Sequence, residues 1–93
     1  MKPFRWSHEK NAQLKAERDI SFEEIVLAIE ADGLLDIVAH ANPGKYPNQR
    51  MFIVAVEHYA YLVPFVEEPE AYFLKTVIPN RKATRDYLKG GGK

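Results

Sequence analysis

The stretch AYFLKTVIPNRKATRDYL, residues 71–88, decides how the chain is organised. Its first half is apolar and typical of a strand. Pro79 lacks an amide hydrogen and disfavours helical geometry at Ile78, so the strand should stop there. We therefore expect a strand over Tyr72 to Ile78, followed at once by a helix over Arg81 to Leu88.

Three cations, Arg81, Lys82 and Arg85, follow the end of this predicted strand. Side chains at that point are anchored by the sheet and still reach solvent. The pattern is compatible with an edge that faces phosphate groups. The same three residues would also suit the solvated face of a helix, and the spacing alone favours that second interpretation.

Length and composition favour one globular domain. The chain has 93 residues, of which 46% are apolar or aromatic, and we expect a single domain over residues 1–89 with a flexible tail over residues 90–93. The chain has no cysteine, which excludes a disulfide framework, a thiolate nucleophile and the common zinc motifs. The charged start MKPFRWSHEK is unlike a secretory signal, and no uncharged run could span a bilayer, so we expect a cytoplasmic protein without a membrane partner.

The formal charge is zero, but it is distributed unevenly along the chain. Residues 9–36 contain eight acids and three bases, a net of −5, whereas residues 71–93 contain six bases and one acid, a net of +5. Such a molecule can present a basic face to a polyanion. Alternatively, the two segments pack together and neutralise each other.

Two helices are predicted in the first third of the chain. Ser7 is a suitable N-cap for a helix ending at Glu17, which we expect on the surface and tethered by Phe4 and Trp6. The second helix is predicted over Phe22 to Ala31. It has a capping box, Ser21 with Glu24, an apolar stripe at helical spacing, and Gly33 as its stop.

The middle of the chain predicts strands. Pro64 lies inside one of them and cannot donate to a ladder, so its amide side should face an edge or a bulge. The predicted segments are a strand over 34–39, a loop over 42–49, and a hairpin of strands 51–56 and 59–66 turning at Glu57-His58. The order indicates an α+β fold with two N-terminal helices, a mostly antiparallel four-stranded sheet and a C-terminal helix, with the helices on one face.

The two ends of the chain resemble the BrnT-type toxins. The opening FRWSHEKNAQLKAERDISFEEI, residues 4–25, is similar to the family's aromatic-x-Trp start and its later S-F-E-E segment, and KTVIPNRKATRDYL, residues 75–88, is similar to its closing R-K-A-T strand and helix. The residues that match these patterns are Trp6, Lys10, Phe22, Glu23 and Glu24 at the first end, and Arg50, Arg81, Lys82, Ala83 and Thr84 towards the second.

This resemblance implies a RelE-like fold and a ribonuclease toxin of a bacterial type II toxin–antitoxin system. It also implies a cognate antitoxin partner, an RNA substrate, contact with DNA only through the antitoxin, and no cofactor. The chain departs from the family pattern at two places. Glu17-Arg18-Asp19 stands where relatives tend to have Lys-His-Gly, and Glu57-His58 stands where they usually have a glycine.

Metal-independent RNA cleavage needs cations for the crowded phosphate and groups that move protons. Arg50, Arg81 and Lys82 are the candidates for phosphate stabilisation, although each would also suit a surface salt bridge. His40, at the end of a predicted strand, is the candidate acid or base, whereas His58 and His8 are expected to be solvated.

Further residues could contact RNA, because tyrosine stacks on bases and lysine or arginine binds phosphate. The candidates are Lys45, Tyr46, Lys75, Arg85 and Tyr87. Glu57, Glu67, Glu68 and Glu70 lack the spacing of a metal site, and none is predicted. The alternative function is a non-catalytic protein-binding module with a toxin-like fold, since the chain has zero net charge and five tyrosines.

Overall fold

The computed structural model describes residues 1–89 and has an α+β architecture. Three helices and six strands occur within that range. In chain order they are β1 Phe4–Trp6, α1 His8–Arg18, α2 Phe22–Ala28, β2 Leu34–Ala39, β3 Gln49–Val56, β4 Tyr59–Glu67, β5 Tyr72–Leu74, β6 Ile78–Pro79 and α3 Arg81–Tyr87. The predicted tail, residues 90–93, lies outside the described residues.

The sheet has the order β1-β5-β4-β3-β2, with β6 also paired to β4. Neighbouring strands from β2 to β5 are antiparallel, as predicted, while β1 joins β5 in parallel. The prediction of four strands was wrong. Phe4 to Trp6 form a strand of their own, and three alternating residues are too few to predict one.

The predicted last strand, Tyr72 to Ile78, is broken in two. Lys75, Thr76 and Val77 leave the ladder between β5 and β6, and Val77 is fully buried. The Arg18 guanidinium of α1 donates a 2.6 Å hydrogen bond to the Val77 carbonyl, which satisfies a group that the sheet no longer pairs.

Pro64 lies opposite this break. The Lys75 amide donates to the Pro64 carbonyl at 2.8 Å, so that side of Pro64 faces the segment between β5 and β6. The amide hydrogen that proline lacks would point in the same direction, because both backbone groups of a strand residue point to one side. Proline is tolerated inside a sheet where the neighbouring strand is interrupted, because no hydrogen bond to its nitrogen is needed there. This agrees with the prediction that the amide side of Pro64 faces an edge or a bulge.

The helices cover both faces of the sheet, and the prediction of a single face was wrong. Helices α1 and α2 pack on one face, here called the α1/α2 face, against a core that includes Phe52 and Phe65, whose rings stack 3.9 Å apart. Helix α3 packs on the opposite face, the α3 face, where Ala83 contacts Ile53 and Ala60. Alternate side chains of β3 therefore serve two separate cores.

Both predicted N-terminal caps are confirmed. The Ser7 hydroxyl accepts from the Lys10 amide, and Ser21 and Glu24 form the reciprocal capping box. The end of α2 differs from the prediction, because regular α-helix stops at Ala28 and a π-type turn, Ile29–Gly33, follows.

Gly33 stops this helix for a different reason from the one predicted. Asp32, not Gly33, adopts the left-handed conformation, with φ of 72°. A Cβ atom at Gly33 would lie 2.6 Å from the Ala28 carbonyl oxygen and 2.9 Å from that of Ala55. Glycine is therefore required by the close approach of the turn to β3.

The predicted hairpin of β3 and β4 is confirmed, with Val56 paired to Tyr59 across a two-residue turn. Glu57 and His58 both have positive φ, 51° and 68°. That is the geometry of a type I′ turn, which strongly prefers Asn-Gly. The turn was predicted correctly, although its residues are unfavourable for it.

Replacement of Asn11 by alanine should destabilise the fold. The buried Asn11 side chain accepts from the Phe22 amide and donates to the Glu23 carboxylate, both at 2.8 Å, and so joins α1 to the start of α2. We expect a loss of about 1–3 kcal/mol in the free energy of unfolding, measured by urea titration, because the buried amide loses its acceptor. Gln13→Ala, at an exposed position of the same helix, should change it by less than about 0.5 kcal/mol, and equal effects would contradict this role.

Candidate functional site

The start of helix α3 is fixed to β4 by two hydrogen bonds, and two more order the start of the helix itself. Ala60, a fully buried residue near the start of β4, donates from its amide to the Thr84 hydroxyl and accepts at its carbonyl from the Asn80 amide, at 2.9 and 3.0 Å. The Asn80 side chain caps the helix by accepting from the Ala83 amide at 2.7 Å, and the Thr84 hydroxyl donates to the Asn80 carbonyl at 2.8 Å. The helix therefore has a defined orientation on the sheet.

This orientation brings together Arg81 and Arg85, one turn apart on α3, and Lys89, two residues beyond the end of the helix. We call these three residues the cationic stripe. With Tyr59 and Thr84 they line an open depression of about 490 Å³. Arg81 has no carboxylate within 4.0 Å among residues 1–89, while Arg85 approaches Asp86 at 3.3 Å. A positively charged, solvent-open depression beside an aromatic ring suits an anion that also carries a planar base.

The other two predicted residues on α3 lie outside the depression. Lys82 pairs with Asp86 at 3.0 Å, and this hydrogen bond lowers the pKa of the Asp86 carboxyl, with a further contribution from Arg85. The Tyr87 hydroxyl donates to Asp36 of β2 at 2.7 Å. Tyr87 thus joins α3 to β2, whereas Lys82 pairs within the helix and shares Asp86 with Arg85.

Arg50 is not part of the cationic stripe. Arg50 lies two residues before Phe52 in β3, so both side chains are on the α1/α2 face. The Arg50 guanidinium lies 5.2 Å from the centre of the Phe65 ring. Glu67 binds both Arg50, at 2.6 Å, and Lys2, at 2.7 Å. The Lys2 hydrogen bond, more than the Arg50 charge, lowers the pKa of the Glu67 carboxyl. The structure therefore pairs Arg50 with a carboxylate on the face opposite to α3.

His40 also lies away from the stripe. Its ring contacts Tyr46 with centres 4.6 Å apart, and its Nδ1 accepts from the Asn42 amide at 3.0 Å. Lys45 lies 5.4 Å from the same tyrosine ring. The loop that contains His40 connects the end of β2 to the start of β3. The β3–β4 turn lies at the opposite end of β3, whose eight residues span roughly 25 Å.

Lys75 lies near a different edge. Its ammonium group is 5.2 Å from the centre of the Phe73 ring, which the Arg5 guanidinium also approaches at 5.7 Å. The predicted residues thus fall into separate groups, and Arg81 and Arg85 are the two that the structure brings into one depression.

Three residues of the depression were not among the predicted site residues. They are Tyr59, Thr84 and Lys89. Lys89 could have been found, because it continues the four-residue spacing of Arg81 and Arg85. Tyr59 could not, because its place beside α3 depends on the hydrogen bonds of Ala60 rather than on any local pattern.

Within residues 1–89 there is no group of three or more His, Asp or Glu side chains arranged to hold a metal ion. No helix in that range is long and apolar enough to cross a membrane.

Comparison with known proteins returned no match to a family model, to a curated protein or to a solved structure. The resemblance to BrnT-type toxins therefore rests on the motifs at the two ends of the chain.

Replacement of Asp36 by asparagine should lower the pKa of Tyr87. The hydrogen bond to the Asp36 carboxylate, followed by partial burial and the charges of Asp36 and Asp86, raises that pKa above its ordinary value of 10. A raised pKa in the folded state means that the stabilisation is complete below pH 10 and is lost as the pH rises through the folded-state value. NMR titration of the tyrosine ring signals would measure the change, and an unaltered Tyr87 pKa in Asp36→Asn would contradict the assignment.

Proposed function

We propose that this chain is an endoribonuclease toxin similar to the BrnT type, which binds the phosphates of RNA along the cationic stripe. A cognate antitoxin would neutralise it in the bacterial cytoplasm, and any contact with DNA would be made by the antitoxin. The observation that carries the proposal is the depression lined by Arg81, Arg85 and Lys89 beside Tyr59.

The stripe has the chemistry that single-stranded nucleic acid needs. Guanidinium groups bind phosphate through two parallel hydrogen bonds, and an aromatic ring beside them offers a base a surface on which to stack. Arg81 and Arg85 are one helical turn apart, so they can hold one phosphate from two sides or two successive phosphates. Such cations would also stabilise the additional negative charge of a phosphate under attack.

The distribution of charge supports the same proposal. The acidic segment 9–36 contributes α2 and all but the first residue of α1, which cover one face of the sheet, whereas the basic segment contributes α3 to the other. The acidic and basic helices therefore do not pack against each other. A neutral chain can in this way keep a basic surface available to RNA.

A protein-binding module remains the second candidate, because one surface near α2 exposes apolar side chains. Leu27 is 65% exposed and Met1 71% exposed. Met1 also lines a groove of about 560 Å³ with Trp6, Val26 and Ile29. A surface of this kind is suited to a protein partner rather than to RNA.

RNA binding should depend on the stripe and on salt. In the double variant Arg81→Gln/Arg85→Gln we expect affinity for a short fluorescent single-stranded RNA to fall at least about tenfold, because two phosphate contacts are lost. The slope of log K against log salt concentration should decrease by about 1.4, since each contact to a single strand contributes about 0.7. Fluorescence anisotropy at several salt concentrations would measure both quantities.

The matched control removes the same charge elsewhere. Lys10→Gln/Lys15→Gln alters two cations of α1, on the other face, and should leave the affinity nearly unchanged.

Cleavage is tested separately, by growth and RNA integrity after expression in a bacterium, where the wild type should arrest growth and the Arg81/Arg85 double variant should not. RNA binding that ignores salt, or equal growth with intact RNA in both cultures, would reject the toxin proposal and favour the protein-binding module.

A further inference from the structure

We infer that Tyr59 is the residue by which the depression distinguishes unpaired from paired nucleotides, because its ring can stack only on a base that is not inside a duplex. This role rests on the proposed function and defines the substrate of the cationic stripe as single-stranded RNA. Tyr59 would determine specificity, whereas the stripe would supply affinity for phosphate.

The place of Tyr59 is fixed by its neighbour in the chain. Both backbone groups of Ala60 bond to the start of α3, at 2.9 and 3.0 Å. The residue before Ala60 is therefore held beside the helix. Tyr59 lines the depression together with the three cations of the stripe, and it is half-buried, so part of its surface is accessible to a ligand.

A second ring supports Tyr59. The ring centres of Tyr59 and Tyr61 are 5.8 Å apart and their planes meet at 67°, which is an edge-to-face contact. Tyr61 is anchored, because it packs on the α1/α2 core and pairs with Pro79 of β6. An edge-to-face contact uses the face of one ring and the edge of the other. It therefore leaves at least one face of the Tyr59 ring uncovered.

Within residues 1–89, no other aromatic residue lines this depression. Tyr87 lines a different cavity, of about 270 Å³, with Lys82. Tyr46 lies in the loop at the opposite end of β3. A base whose phosphate is bound by the stripe can thus meet one ring of the described chain, that of Tyr59.

The charges of the stripe alone would not distinguish a single strand from a duplex. Both present their phosphates to solvent, so guanidinium groups bind either of them. The faces of paired bases are covered by their neighbours in the stack, and only an unpaired base can lie on an aromatic side chain. Stacking on one such ring changes affinity by about five- to a hundredfold. Selectivity for single strands should therefore depend on Tyr59.

Three RNA ligands separate stacking from charge. They are the short fluorescent single strand used for binding, the same strand annealed to its complement, and a strand of the same length that carries no bases. The wild type should bind the strand without bases at least about fivefold more weakly than the normal strand, although both have the same charge. Fluorescence anisotropy measures this difference without any change to the protein.

Replacement of Tyr59 by leucine removes the stacking surface and no charge. We expect affinity for the normal single strand to fall about five- to a hundredfold, with unchanged affinity for the duplex and for the strand without bases. The salt slope of single-strand binding should stay at the wild-type value, since no phosphate contact is lost. Arg81→Gln/Arg85→Gln should instead weaken the binding of all three ligands and lower the slope.

Two variants are matched controls for the ring. Tyr59→Phe keeps the aromatic surface and should bind all three ligands as the wild type does. Phe73→Leu removes a half-buried ring of β5 outside the depression, and should also leave the three affinities unchanged. Thermal denaturation of each variant shows whether the protein tested is folded.

The possible failures are distinguishable. Equal losses for all three ligands in Tyr59→Leu would show that Tyr59 only places the cations, and no loss for any of them would show that it does not contact a base. Either result, or equal binding of the normal strand and the strand without bases by the wild type, would overturn this inference alone. The proposed function would then still depend on the loss of affinity in Arg81→Gln/Arg85→Gln. Absence of RNA binding by the wild type would reject both.

Discussion

Both backbone hydrogen-bonding groups of Ala60 are satisfied by the start of α3 rather than by another strand. Ala60 is completely buried, and each group left without a partner there would cost about 1–3 kcal/mol. Asn80 and Thr84 are therefore tied to β4, and the direction of the helix follows from them. Everything on the helix surface, including the side occupied by Arg81, is placed by this one contact.

A second constraint is that β3 and β4 serve two cores at once. Phe52 faces α1 and α2, while its neighbour Ile53 faces α3. The sheet therefore separates the acidic helices α1 and α2 from the basic helix α3. The two layers cannot neutralise each other across the sheet at short range, because strands and side chains about 10 Å thick lie between them. A chain of zero net charge thereby acquires two surfaces of opposite character.

Local patterns predicted the local structure well. The Ser21 cap and the bounds of β2 depend on residues close to them in the sequence, and both were predicted correctly. The break at Val77 was not predicted, and the hydrogen bond that satisfies its carbonyl comes from Arg18, 59 positions away, which no local pattern reveals. The site was predicted only in part for the same reason. Arg50 resembles the cations of α3 in its chemistry, and only the alternation and pairing of β3 assign it to the other face.

The contacts between the two ends of the chain also bear on how the protein is made. Strand β1 finds its partner, β5, only near residue 72, and α1 is tied to the carbonyl of residue 77. Interactions of such large sequence separation form late and slowly. A nascent chain on the ribosome cannot complete this sheet until the residues of β5 and β6 have emerged, and α3 follows them. The basic side of α3 is therefore placed only after the strand that supports it has formed.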